Sequence, residues 1–590
     1  MNTTDLKINR NLQILSWFTF LALSTIYFYW FAGYIFFYQE KSSLFLLSFS
    51  YFAEHLSQPG GFLVWLAELQ TAFYFYPLAG AFIVSIEICI CIFIITKIGK
   101  VLTRNTFFLI PFLTGAILFY LQANYQYKAL NNLGILMQLL VFYLVIRFLA
   151  GKRMWVPVFL FPVWYFLTGS FSTLFLILVT FYLILSAEKG KWSKLIVLYV
   201  VGAIFFYVAQ EFLFFQTIES LLVYPFSEQN IGNQKPLFIT VIAIISMLPL
   251  IFRFHLKLFF KIEIRRFQIR QITPFLVMAV FAYLAVSRID KKNSHYFHVE
   301  KLFYEKKFDE LINYNRQFPS INILTNYLNN IALAETGKLN DMLFQFQQSP
   351  DGGTLFLKWE LAGEVLKRGG YFYWSLGMIN EAQRWPYEFM VMRGNTPEGL
   401  EMLIKTDLAS GNYKVAQKYI SILKQSVFYR REARKFEKLL FDDTAIEKDA
   451  ELGAKRRLKT KHDFFVLAEN PAANLDLIIA ADSANRIAAE YKFAWLLLQK
   501  DFEGVTKLLP LLKSAGFERI PKNIEEAVVA YSLLNLKKYP EFEGFEINPQ
   551  TVIRFNEYYG IFQQNRGNKQ QAQAALRDYS DTYWYHVVFR

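Results

Sequence analysis

The strongest constraint on this fold is a succession of long apolar runs confined to the first half of the chain. A helix needs about 20 mostly apolar residues to cross the hydrocarbon core of a bilayer. Nine stretches approach that length, at about 12–37, 77–96, 106–124, 132–150, 154–169, 170–187, 195–215, 236–252 and 273–288. Hydrocarbon offers the backbone no water to bond, so the expectation is an all-α, polytopic transmembrane helix bundle over residues 1–289. Lys7 and Arg10 precede the first run, which is too long for a signal-peptide core and lacks a small-residue cleavage site. It reads as a retained anchor. The fifth and sixth runs share a tight turn at Leu167-Thr168-Gly169-Ser170 and form either two short spans or one deep hairpin.

Charge supplies the orientation. Through Asp290 there are 21 Lys+Arg and 11 Asp+Glu, so +10 of the chain's net +14 lies in this half. Those cations sit between apolar runs rather than on a soluble surface, which points to membrane topology and away from nucleic acid. With the N-terminus inside, 17 basic residues fall in inner loops, and only Lys41, Lys128, Lys235 and Arg288 fall outside. Nine spans then place the C-terminus outside. The acids show the reverse split: Asp5, Glu188 and Glu263 are inside, whereas Glu40, Glu54, Glu68, Glu211, Glu219, Glu228 and Asp290 lie at or beyond the outer face. Carboxylate chemistry is therefore expected outside. Cys89 and Cys91, at i and i+2 within one apolar run, read as small core residues. The absence of disulfides suits a bacterial envelope, here the cytoplasmic (inner) membrane, better than a secreted eukaryotic protein.

The first outer loop, residues 38–76, is neither a simple turn nor a soluble segment. Two short apolar-aromatic stretches, Leu44–Phe52 and Phe62–Tyr76, flank Glu54-His55-Leu56-Ser57-Gln58-Pro59-Gly60-Gly61. Aromatic side chains on short apolar helices favour the headgroup layer, so two interfacial helices joined at a Pro-Gly-Gly break are expected. A lipid-linked substrate would keep its tail in the bilayer and present its phosphate at this level. Glu40, Glu54 and His55 are the candidate catalytic residues, as general base or as holders of a divalent cation against a diphosphate. Glu68 and Gln70 in the loop, with Gln122, Lys128, Glu211 and Arg288 near the same level, are the candidate substrate-binding residues. Each also fits an ordinary headgroup contact. Glu87 lies within the second run, where an acid is either a site residue or a satisfied structural hydrogen bond.

From residue 290 to 590 the pattern becomes amphipathic helices with short turns, at the charge density of a soluble domain. Turns at Lys306-Lys307-Phe308, Thr336-Gly337-Lys338, Gly411-Asn412, Lys500-Asp501-Phe502 and Arg566-Gly567-Asn568 resemble those of tetratricopeptide helix pairs. An extracytoplasmic α-solenoid with a concave surface for an acceptor or partner protein is expected. No phosphate loop or metal-ligand pattern stands out. His295 and His298, at i and i+3, lack a nearby acid or Cys partner. The aromatic stretch Gly369–Trp374 through Tyr387 serves either sugar stacking or core packing.

The layout of an aromatic-rich polytopic domain, a long first outer loop and an extracytoplasmic helical domain resembles the GT-C class of glycosyltransferases and bacterial oligosaccharyltransferases. That resemblance implies a polyprenyl-phosphate or polyprenyl-diphosphate sugar donor and a catalytic acid in the first outer loop. The loop here lacks the paired acids of that class and has only Glu40, Glu54 and Glu68. Two other functions fit the layout: a non-enzymatic envelope scaffold that recruits proteins through its repeats, and a lipid or polysaccharide translocator with a lateral groove.

Overall fold

The computed structural model describes every residue except 1–2, 105–108, 150, 188–189, 227–231, 260–265, 360–362, 460–465, 468–469 and 536–543. Glu188, Glu228 and Glu263, with the basic Lys189, Lys261 and Arg265, lie outside the described residues. The described residues are helical with no β-strand; the one isolated bridge joins Leu46 and Ser426. The chain divides into two compact units, Met1–Ser294 with Gln425–Phe428, and His295–Lys424 with Tyr429–Arg590.

The first unit opens with α1 (Thr3–Ile26), which continues through a π-helical turn at Tyr27–Phe31, and α2 (Gly33–Glu40). Its outer loop holds α3 (Phe49–Leu56) and α4 (Gly61–Ala72). Then come α5 (Pro77–Thr103), α6 (Leu109–Gln122), α7 (Ala129–Phe148), α8 (Val156–Thr168), α9 (Ser172–Leu185) and α10 (Lys191–Val208). The unit ends with α11 (Ile218–Val223), α12 (Lys235–Ser246), α13 (Leu248–Phe259) and α14 (Arg266–Ser287).

Among the described residues, five helical runs are long and apolar enough to cross a membrane: Ile14–Phe31, Pro77–Thr103, Ala129–Phe148, Arg153–Leu185 and Lys191–Phe214. A sixth arises if α12 and the start of α13, bent by 61° at Met247, form one broken span. The expected nine are not found. The described part of α6, Leu109–Gln122, rises about 21 Å, against a hydrocarbon core of about 30 Å. In α14 the described apolar part is Met278–Ser287. The outward faces remain apolar. Phe159, Val163, Ile196, Ile204 and Phe212 are all exposed, a surface suited to lipid rather than water.

The run Arg153–Leu185 reverses direction at its centre. Trp164 Nε1 donates to Gln138 Oε1 at 2.6 Å, placing α8 beside the middle of α7. Further along, Phe171 packs on Gly134, where an added Cβ would lie 2.5 Å from the ring. The Tyr182 ring then sits 6.4 Å from Phe142. Successive contacts at 138, 134 and 142 require a turn, and Gly169 supplies it at φ +58°. The stretch is therefore a hairpin whose arms of 13 and 14 residues each rise about 20 Å.

In the second unit all five expected turns fall between helices. Gly411 (φ +78°) separates Pro397–Ser410 from Tyr413–Lys424, and Asn568 caps Lys569–Ala575. The helices do not, however, form an open stack. Leu339 N–H donates to Glu490 Oε2 at 3.1 Å, Asn485 Nδ2 to Leu376 O at 3.0 Å, and Arg519 pairs with Asp341 at 2.7 Å. Helices Arg486–Leu498 and Lys522–Leu534 thus fold back on Leu339–Met342. A tetratricopeptide-like solenoid makes contacts mainly between neighbouring repeats, whereas these contacts join residues 109 to 178 apart in the chain.

Candidate functional site

The first outer loop holds a hydrogen-bonded array on the facing sides of α3 and α4. Leu44–Ser48 is extended rather than helical, with Leu44, Phe45 and Leu46 buried. Ser48 caps α3, its side chain accepting from Tyr51 N at 3.3 Å. Tyr51 and His55, at i and i+4, share one face of this helix.

Gly60 at φ +72° starts α4 and donates its N–H to Phe166 O at 3.0 Å. A Cβ on Gly60 would lie 2.7 Å from the Gly169 nitrogen, and one on Gly61 would lie 1.7 Å from His55 O. Only glycines let the loop seat on the α8–α9 turn and fold α4 back against α3.

Along α4, Leu63, Ala67 and Gln70 are buried, while Trp65 and Glu68 face α3. Trp65 packs against Phe45, Phe52 and Phe62, with ring centroids 5.4, 5.2 and 6.3 Å away. Glu68 Oε2 accepts from the Tyr51 hydroxyl and lies 3.1 Å from His55 Nε2. His55 Nδ1 lies 2.8 Å from Tyr51 O. Both ring nitrogens thus face oxygens, and a carbonyl can only accept, so the imidazolium satisfies the two contacts together. Burial opposes that charge, but the hydrogen bond and charge of Glu68, then the Tyr51 carbonyl and Glu54, outweigh it and raise the His55 pKa above its ordinary 6.5. Burial and the Glu68 carboxylate push the Tyr51 phenol far above its usual range, so it stays a donor. Among the described residues, Glu68 Oε1 takes no hydrogen bond, and the side chain is 26 % exposed. The result is an oriented carboxylate with one oxygen fixed and one open.

The other candidates lie elsewhere. Glu54, on α3, is exposed and acts on the array through its charge on His55 and Tyr51. Glu40 is buried at the end of α2 beside Lys41, at 3.6 Å. Gln70 turns inward, donating to Tyr74 OH at 2.8 Å and bonding the buried Glu87, which makes Glu87 part of a structural polar cluster. Gln122 accepts from Asn132 Nδ2 at 3.0 Å inside the bundle. Lys128 and Glu211 are exposed, the latter accepting from Gln210 at 3.1 Å. Arg288 lies over the Tyr120 ring at 4.3 Å. Tyr51 escaped the sequence reading; its signal was the i, i+4 spacing to His55 on a short capped helix.

His55 and Glu68 are two donors that a divalent cation could share. Among the described residues no group of three His, Cys, Asp or Glu side chains is placed to hold a metal. His295 and His298 instead pack on Tyr314, with ring centroids at 5.0 and 4.4 Å.

Residues 9–590 match the DUF6057 family, described as a family of unknown function. No curated protein and no solved structure matches the chain.

Proposed function

We propose that this chain, which belongs to the DUF6057 family, is a membrane glycosyltransferase or oligosaccharyltransferase. It acts at the outer face of the cytoplasmic membrane on a polyprenyl-linked sugar, with the C-terminal helical unit holding an acceptor protein. The observation that carries this reading is Glu68: a carboxylate with one oxygen clamped by Tyr51 and His55 and the other open. It stands on a short aromatic helix suited to the headgroup layer.

In the reaction the acceptor hydroxyl approaches Glu68 Oε1 and loses its proton there as its oxygen bonds to the anomeric carbon. The bond between that carbon and the phosphate oxygen breaks, and its electron pair leaves with the polyprenyl phosphate or diphosphate. Tyr51 and His55 are positioning residues. They hold the carboxylate in one rotamer, with Oε1 left open to receive the proton.

Glycoproteins from a host strain carrying Glu68→Gln, compared with wild type by mass spectrometry at matched protein level, test the reading. Loss of a glycan from at least one envelope protein supports it. An unchanged glycoprotein profile overturns it.

A further inference from the structure

The C-terminal unit contains a cavity of about 370 Å³ that the proposed reaction does not use. That volume falls in the range of small-molecule sites, about 300–1,000 Å³. One wall is aromatic, formed by Phe303, Tyr304, Tyr371 and Trp374. Phe303 meets Tyr371 edge-on at 5.1 Å, and Tyr371 keeps part of its surface open. The aromatic stretch around residue 370 divides accordingly. Phe372, Tyr373 and Trp385 are core residues, whereas Tyr371 and Trp374 face the hollow.

The rest of the lining carries charge arranged in pairs. Lys455 Nζ, nearly buried, lies 2.7 Å from Glu335 Oε1 and donates to Ser375 O at 3.1 Å. Lys405, also buried, pairs with Glu401 and, at 3.4 Å, with Glu451. Glu451 additionally pairs with Lys306 and accepts from Trp374 Nε1 at 3.3 Å. Stability does not call for such a wall, since well-packed apolar residues in place of buried ion pairs are often neutral or stabilising. Charged groups fixed around an empty volume therefore point to a ligand.

Its chemistry follows from the pairing. Lys306, Lys405 and Lys455 are each paired, and the lining keeps one carboxylate in excess among Glu335, Glu398, Glu401 and Glu451, so an anion is repelled and would have to break a pair. A neutral polyhydroxyl molecule fits without doing so, because each hydroxyl both donates and accepts. Its C–H face carries slight positive charge and suits the negative face of an aromatic ring. We infer that this cavity binds a neutral sugar of one or two rings, stacked on Tyr371 and hydrogen-bonded to the Lys–Glu pairs. The inference does not depend on the chemistry proposed for Glu68.

The test uses the full chain in nanodiscs of phospholipid alone, free of sugar-based detergents. Glucose, mannose, N-acetylglucosamine, maltose, cellobiose and N,N′-diacetylchitobiose are titrated by calorimetry. The expected result is saturable binding of at least one sugar, weakened about tenfold by Tyr371→Ala and retained by Tyr371→Phe. Glu401→Gln, at a partly exposed position, should weaken the same sugar, so the result does not hang on Tyr371→Ala folding. Failure of every sugar to bind overturns the proposal. So does binding indifferent to both substitutions, or capture of a zwitterionic dipeptide in competition with the sugars.

Discussion

His55 Nε2 lies 3.1 Å from Glu68 Oε2, joining the two helices of the first outer loop through one charged hydrogen bond. The same carboxylate oxygen accepts from Tyr51, four residues before the histidine on α3. Chemistry and local stability thus meet at a single atom.

The His55 pKa is raised in the folded state above its ordinary 6.5. A raised pKa contributes stability that is fully present below the unfolded value and lost as pH rises through the folded value. Thermal unfolding of wild type and His55→Gln across pH 5 to 9 should show the largest separation at the acid end. The difference, about 2 kcal/mol for a hydrogen bond to a charged group, should shrink above about pH 6.5. A separation that grows with pH would contradict the ion pair.

Gly60 and Gly169 meet backbone to backbone. Gly60→Ala places a methyl 2.7 Å from the Gly169 nitrogen at a positive φ, and Gly169→Ala meets Pro225 and Tyr224 at 2.8 Å. Each should destabilise by more than about 1 kcal/mol. Melting temperature in nanodiscs measures this, with Gly560→Ala as a control, since that glycine is helical and its added Cβ meets nothing within 4 Å.

Glu87 is buried in α5 and bonded to Gln70. Glu87→Gln preserves a hydrogen-bonding group and should leave melting nearly unchanged. Glu87→Lys puts a cation in the same place at about 3 kcal/mol and should sharply reduce the folded yield in membranes.

Arg368 in the second unit is fully buried between Glu300 and Glu364. Arg368→Met strands the Glu300 carboxylate and should destabilise by about 3–5 kcal/mol. Adding Glu300→Gln should recover part of that loss in the same melting experiment. A single variant as stable as wild type would remove this triad as a determinant of the fold.

Composition and hydrophobic runs were enough to read the helical class, the apolar first half and the Pro-Gly-Gly break. They could not count spans, because apolar length says nothing of where helices bend, as α12 and α13 do by 61°. The repeat-like turns after Lys306 and at Gly411 were visible, but the fold-back of Glu490 onto Leu339 links residues 151 apart and leaves no local periodicity. At the site, His55 and Glu68 were legible as polar groups in an aromatic loop. Their union with Tyr51 was not, since it depends on how Gly61 folds α4 against α3. The sequence pointed to Glu40 and Glu54 as the catalytic acids and to Glu68 as a substrate-binding one, and only helix facing separates an exposed Glu54 from the clamped Glu68.

The most direct measurement is release of polyprenyl phosphate or diphosphate from a radiolabelled polyprenyl-linked sugar by the purified chain in nanodiscs, in the presence of acceptor protein. Wild type should release the lipid and label the acceptor. Glu68→Gln should be slower by about 10²- to 10⁴-fold, while Glu54→Gln retains activity. Equal rates for wild type and Glu68→Gln, or no transfer from any polyprenyl-linked donor, would contradict the proposal.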